Sequence, residues 1–211
     1  MPVAKIAPFL YFARIIVVIA VGFQLLRRWL HSRRPKAYGR LRRELHLHAC
    51  EPEDSDLPEL RATTQHIQGD HEGYEVRIFE NVSDLVEPGY PTATQTYLML
   101  VKPGWHLPVF TIEPRTMATN LRQHVDGNKG LFFPKDERFT VTCFVDGPDP
   151  DAIRATLAIA ATKHLRDNKQ LYVESRGEAL LFYQSEKLLS ARDVRSLLQF
   201  AVAFTDGLAI G

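Results

Sequence analysis

The chain has 211 residues, 45% of them hydrophobic and 24% charged. That length holds one ordinary domain and an appendage, and that composition excludes a disordered or low-complexity chain. The formal charge of +1 conceals a split: residues 1–43 carry ten Lys and Arg and no acid, and the other 168 carry 16 bases against 25 acids, which makes the body a poor nucleic-acid binder.

The first predicted element is apolar. From Ile6 to Leu26 the only charge is Arg14, and a helix of that length spans about 30 Å, the thickness of a bilayer's hydrocarbon core. Arg14 costs roughly 2.5 to 3.5 kcal/mol at mid-membrane, whereas the thirteen Leu, Ile, Val and Phe residues together contribute about −4 to −8 kcal/mol. Arg14 also lies off centre, where its stem can snorkel to the nearer headgroups. A water-soluble amphipathic helix would show polar residues every three or four positions, and Ile15–Phe23 has none. A cleaved signal would end on small residues, whereas this stretch ends in Gln24-Leu25-Leu26-Arg27-Arg28.

A cationic collar follows. Arg27, Arg28, Arg33, Arg34 and Lys36, continued by Arg40, Arg42 and Arg43, outnumber Lys5 and Arg14 on the other flank. The positive-inside rule therefore predicts a single-pass membrane protein, N-terminus out and C-terminal domain cytoplasmic. Trp29 sits where an interfacial aromatic belongs, and the collar faces anionic lipid headgroups, at roughly 1 kcal/mol per base. These residues (Arg27, Arg28, Trp29, Arg33, Arg34 and Lys36) form the predicted membrane interface, and residues 1–36 the anchor unit.

Residues 37–59 read as a connector. His46-Leu47-His48-Ala49-Cys50 places three metal-ligand side chains on one face of an extended chain, with His66 or His71 as a fourth. Zinc sites normally pair their ligands as C-x-x-C or H-x-x-x-H, and this stretch has one Cys, so a juxtamembrane connector is the expectation and no metal is assigned. Cys50 and Cys143 are the only cysteines; they make no disulfide framework and stay as thiols in a reducing cytoplasm. "EPEDSDLPE", residues 51–59, reads as a solvated linker.

The folded domain is expected over 60–211. Strands are predicted at Ala62–Ile67, Tyr74–Phe79, Thr96–Val101, Val109–Ile112 and Arg138–Asp146, where β-branched and aromatic residues cluster or alternate. Glu87–Pro91, Lys102-Pro103-Gly104 and Asp126–Gly130 punctuate them. Asp70-His71-Glu72-Gly73 sets acids beside a base but reads as a turn. Asn81-Val82-Ser83 matches a glycosylation acceptor, which has no meaning on a cytoplasmic face.

Trp105, in "KPGWHLP", is the candidate partner contact if it stands on a loop surface, since tryptophans dominate interface energetics; buried, it is core. Glu113, Arg115 and His124 are charged neighbours without a demonstrated pocket. A helix is predicted after "DGPDP", with Asp149 as N-cap, Pro150 first and Asp151 at the positive end of the dipole. Its stripe is Ile153, Leu157, Ala160, Ala161 and Leu165. Leu171–Glu174 and Ala179–Tyr183 flank "SRGE" as a hairpin. Ser190 caps a last helix with stripe Val194, Leu197, Leu198 and Ala201, ending near Gly207. Strands first, then helix, hairpin and helix, predict an α+β domain with a mainly antiparallel sheet and two helices in its C-terminal half.

"LPVFTIEPR" (107–115), "FTVTCFVDGPDPDAIRATL" (139–157) and "LYVESRGEALLFY" (171–183) resemble bacterial membrane-anchored proteins of unknown function over roughly residues 66–207. In those proteins a P-x-F-x-x-x-P-E-like strand, an F-x-V-x-G-x-D-P-like junction and a V-E-x-x-G-x-x-L-x-x-Y-like hairpin follow one transmembrane helix. Here Glu113-Pro114 stands in the reverse order. The resemblance implies an architecture and a topology and carries no activity.

G-x-S-x-G, P-loop, G-x-G-x-x-G and H-E-x-x-H patterns are absent from the chain, which removes the usual markers of acyl transfer, nucleotide hydrolysis and zinc proteolysis. No catalytic residue and no cofactor are assigned. The expectation is a non-catalytic, membrane-tethered binding or scaffold module for a lipid or protein partner. The alternative is an enzyme or small-ligand sensor with a pocket in the α+β domain.

Overall fold

The structure is a computed structural model that describes residues 37–50, 63–82 and 94–209, except residues 118, 121–124, 126, 128, 129, 167, 169 and 186. The chain divides into two compact units, Met1–Leu41 and Arg42–Gly211. The predicted span Ile6–Leu26, with Arg14, and the collar Arg27, Arg28, Trp29, Arg33, Arg34 and Lys36 lie outside the described residues, as does the linker 51–59. Among the described residues no helix is long and apolar enough to cross a membrane. Of the first unit, residues 37–41 are helical, and the helix runs on to 44.

The second unit is an α+β domain. Its strands are β1 (His48–Ala49), β2 (Thr63–His71), β3 (Tyr74–Val82), β4 (Thr94–Val101), β5 (Phe110–Pro114), β6 (Cys143–Asp146), β7 (Leu171–Ser175) and β8 (Ala179–Gln184). They form one sheet in the order β1-β2-β3-β4-β8-β7-β5-β6, and every neighbouring pair is antiparallel. Four helices with described bounds are α1 (Glu137–Thr142), α2 (Pro150–Thr156), α3 (Ile159–Arg166) and α4 (Ala191–Asp206).

Local chemistry accounts for the turns. β2 and β3 meet at His71↔Tyr74 through Glu72 and Gly73, both at positive φ, the primed turn whose twist matches a two-residue hairpin. After β4, Lys102-Pro103-Gly104-Trp105 closes with Trp105 N–H donating to Lys102 O at 3.1 Å. Pro second and Gly104 at φ +85° third are the residues a type II turn requires. The chain then crosses the β7–β8 turn, held by Lys102 N–H to Glu178 O and Leu107 N–H to Gly177 O. That crossing carries β5 to the far side and leaves room for the β7–β8 hairpin beside β4.

One sheet face holds the main core. Val76, Ile78, Leu98, Leu100, Phe182 and Val173 are buried, and they share a face through the pairs Ile78↔Leu98, Leu98↔Phe182 and Val173↔Phe182. The stripe of α4 covers it, with the Phe204 ring edge-on to Phe182 at 5.7 Å. The Ser190 and Asp193 capping box opens that helix. On the opposite face Phe79, Tyr97, Tyr183 and Tyr172 run across four neighbouring strands as a ring ladder, with centroids 5.0 to 5.2 Å apart, and Met99 and Leu181 are buried beside it.

Two expectations are corrected. Arg138–Asp146 is not one strand: its first part belongs to α1 and only Cys143–Asp146 is extended. The helix after Asp149 begins at Pro150 as expected but breaks at Leu157 and Ala158 into α2 and α3. Of the two alternatives for Trp105 the structure has the core one: it is 4% exposed and packs on Tyr74 at 5.6 Å. In addition, the sheet takes in His48–Ala49, upstream of the expected start near Leu60, through His48↔Gln68 and Ala49↔Ile67. The turn into β1 puts His46 at φ 56°, with Leu47 N–H donating to Arg42 O, and lays Leu47 on β2. A Cβ on Gly69 would come within 2.9 Å of that leucine, which is why β2 carries a glycine in its interior.

Candidate functional site

A hollow of about 670 Å³ lies in the second unit where the loop into α1 meets α2 and the α2–α3 junction. Two local events open it. Asp136 starts α1: its Oδ1 accepts from Phe139 N–H at 3.0 Å, the N-cap bond. Leu157, at φ −78° and ψ 72°, is the centre of an inverse γ-turn closed by Ala158 N–H to Thr156 O at 2.9 Å.

In an unbroken helix Thr156 O would accept from Ala160. Here it accepts from Ala158 and from Ala209 in the segment after α4. Gly207 lies close enough to α3 that a Cβ there would meet Ala161 N at 2.8 Å.

The walls are apolar: Phe133, Pro134, Ala155, Leu157, Ala158 and Ile159. Ile159 and the neighbouring Phe132 are about half exposed, at 51% and 54%, so apolar surface continues past the mouth.

The floor is Asp136, 7% exposed. Its Oδ2 accepts from Thr162 Oγ1 at 2.6 Å and from Arg166 Nη2 and Nε at 2.6 and 3.0 Å. Burial pushes its carboxyl up, but the bonds from Thr162, Phe139 N–H and Arg166 outweigh burial and hold it below the usual carboxylate range. The floor is therefore an ionised group whose charge Arg166 already balances and whose oxygens are both occupied.

Two further cations line the hollow. Arg154 donates to Asp151 at 3.0 Å and to Phe132 O at 3.1 Å. Lys135 is exposed and makes no ion pair among the described residues. With Asp136 and Arg154 each balanced, Lys135 is the net charge of the mouth. The walls are mostly apolar side chains, without the series of convergent polar groups that recognises a sugar or a nucleotide.

The sequence-derived candidates are scattered. His46 is in the turn before β1, His48 is an exposed strand residue and Cys50 is half-buried. Among the described residues no three His, Cys, Asp or Glu side chains converge as a metal site. Arg115 Nε donates to the carbonyls of Thr140 and Cys143, tying α1 to β6. Glu113 pairs with Phe144 across β5 and β6, and His124 lies outside the described residues.

Asp136, Thr162, Arg166 and Lys135 were not singled out from sequence. The local signal that points to this segment is a helix start, an Asp at the N-cap with Glu137 in the first turn. No family model, no curated protein and no solved structure matches this chain.

Proposed function

We propose that this chain is a single-pass inner-membrane protein whose cytoplasmic α+β domain is a non-catalytic ligand-binding module. The observation that supports the binding reading is the apolar hollow of about 670 Å³ set over a carboxylate already neutralised by Arg166. Its size falls in the range of small-ligand sites, roughly 300 to 1,000 Å³. The observation that supports the tether is the run from Ile6 to Leu26 followed by the cationic collar. This topology is also what the resemblance to bacterial membrane-anchored proteins implies. A tether holds the domain at high local concentration near the bilayer and so strengthens contacts that are weak in solution.

Fractionation of cells expressing the full-length chain tests the tether. The chain is expected in the membrane pellet after alkaline carbonate extraction, with its C-terminus protected from protease added outside unbroken cells. Full-length chain in the supernatant, or a C-terminus digested from outside, would overturn this topology.

A further inference from the structure

We infer that the hollow between the loop into α1 and the α2–α3 junction takes an amphiphile with an apolar tail and a single anionic end group. This rests on the ligand-module reading above and specifies its ligand. The tail follows from the walls. Phe133, Leu157 and the half-exposed Ile159 present an apolar surface, and covering such surface contributes about 25 cal/mol per Å².

The end group follows from the balance of charges. Asp136 is matched by Arg166, and Arg154 by Asp151. Lys135 stays uncompensated among the described residues, so the mouth favours one negative charge and disfavours a cation. The hydroxyl of Thr162, the remaining polar group at the floor, is committed to Asp136 at 2.6 Å. The floor therefore has no uncommitted side-chain donor for a polar body, and the ligand's single polar group belongs at the mouth beside Lys135. A free long-chain carboxylate and the acyl chain of an anionic phospholipid share this chemistry.

Photocrosslinking on the full chain in phosphatidylcholine nanodiscs tests it. The probes are a long-chain carboxylic acid bearing a diazirine at its apolar end, the matched alcohol and the matched trimethylammonium. The acid is expected to label peptides containing residues 132–136 and 154–160, and the alcohol and the cation to label them less. Lys135→Glu should cut the acid's labelling about five- to tenfold, the range for reversing one partly exposed charge, and leave the alcohol's unchanged. Ala155→Trp, at an exposed wall position, should cut labelling by all three probes, and Ile159→Glu provides a second block of the same wall; unchanged urea midpoints establish that the variants fold.

The same diazirine on the acyl chain of phosphatidylglycerol separates the two sources. Labelling by it assigns the ligand to the bilayer, and labelling by the free acid alone assigns it to a soluble carboxylate. Equal labelling by acid, alcohol and cation, unmoved by Lys135→Glu, would overturn the ligand class while leaving a binding module in place. Labelling spread over the domain without enrichment at these peptides would overturn the site itself. A chain recovered in the soluble fraction would be assayed in buffer without nanodiscs, where the dependence on Lys135 is unchanged.

Discussion

Asparagine at position 136 removes a charge and keeps a shape. Its amide oxygen can still accept from Phe139 N–H, now bonded at 3.0 Å, so the cap of α1 survives. What disappears is the anion that receives Thr162 Oγ1 at 2.6 Å and two Arg166 donors at 2.6 and 3.0 Å. Hydrogen bonds to charged groups contribute about 1.5 to 3 kcal/mol, and orphaning one partner of a buried pair costs about 3 to 5 kcal/mol. The Arg166 side chain is 24% exposed, so water takes back part of its solvation and the lower end applies. Asp136→Asn is expected to destabilise by about 2 to 3 kcal/mol, and Asp136→Ala by about 1 kcal/mol more as the cap is lost.

Urea unfolding followed by circular dichroism measures both variants. The dependence on pH supplies the sign: the folded-state carboxyl lies below its ordinary value of 3.8. Its contribution is complete above that value and is lost as the pH falls through the lower folded-state value. The gap between wild type and Asp136→Asn should therefore hold constant from neutrality down to about pH 4 and close below it. Arg166→Met in both backgrounds should show a coupling of at least about 1 kcal/mol. A gap under about 0.5 kcal/mol at neutral pH, the size of an ordinary surface substitution, or one that does not close in acid, would refute the assignment of Asp136 as a buried ionic tie.

Two further outcomes follow from buried groups elsewhere. Cys143 is 6% exposed, and burial pushes its thiol up to about 11 against smaller opposing effects from Thr142 and Arg115. A disulfide-exchange reagent at neutral pH should therefore modify Cys50 alone in the native chain and both thiols after denaturation; equal native rates would refute this. The Ser175 hydroxyl is 2% exposed and has no hydrogen-bond partner among the described residues. Because an unpaired buried hydroxyl costs about 1 to 3 kcal/mol, Ser175→Ala should raise stability by about 1 kcal/mol. A loss of stability in the same urea assay would show that the hydroxyl is bonded.

Elements governed by neighbours in sequence were legible, and those governed by distant chain were not. Pro103-Gly104, Asp149-Pro150 and Ser190 with Asp193 act within four residues, and each starts or ends its element where the pattern predicts. The strands from Tyr74, Thr96 and Leu171 were legible for the same reason, since alternation needs only one buried face. Arg138–Thr142 was misread because Phe139, Thr140, Val141 and Thr142 favour a strand by propensity. Asp136 overrides that preference by capping the segment and anchoring it to Thr162 and Arg166, 26 and 30 residues away. Similarly, Ala158, Ala160 and Ala161 favour an unbroken helix, yet Ala209 takes the Thr156 carbonyl and Gly207 presses on α3.

The candidate site is the joint product of those two overrides, which explains why no sequence pattern marked it. The Asp136 tie to Thr162 and Arg166 fastens the loop that carries Phe133 and Pro134 to α3. Without the break at Leu157, α2 and α3 would run on as one helix instead of two segments that meet beside the hollow. Stability and the shape of the hollow are therefore carried by the same carboxylate. Lys135, one residue away, is free of that duty: its side chain is exposed and bears no ion pair among the described residues, so changing it separates ligand preference from fold.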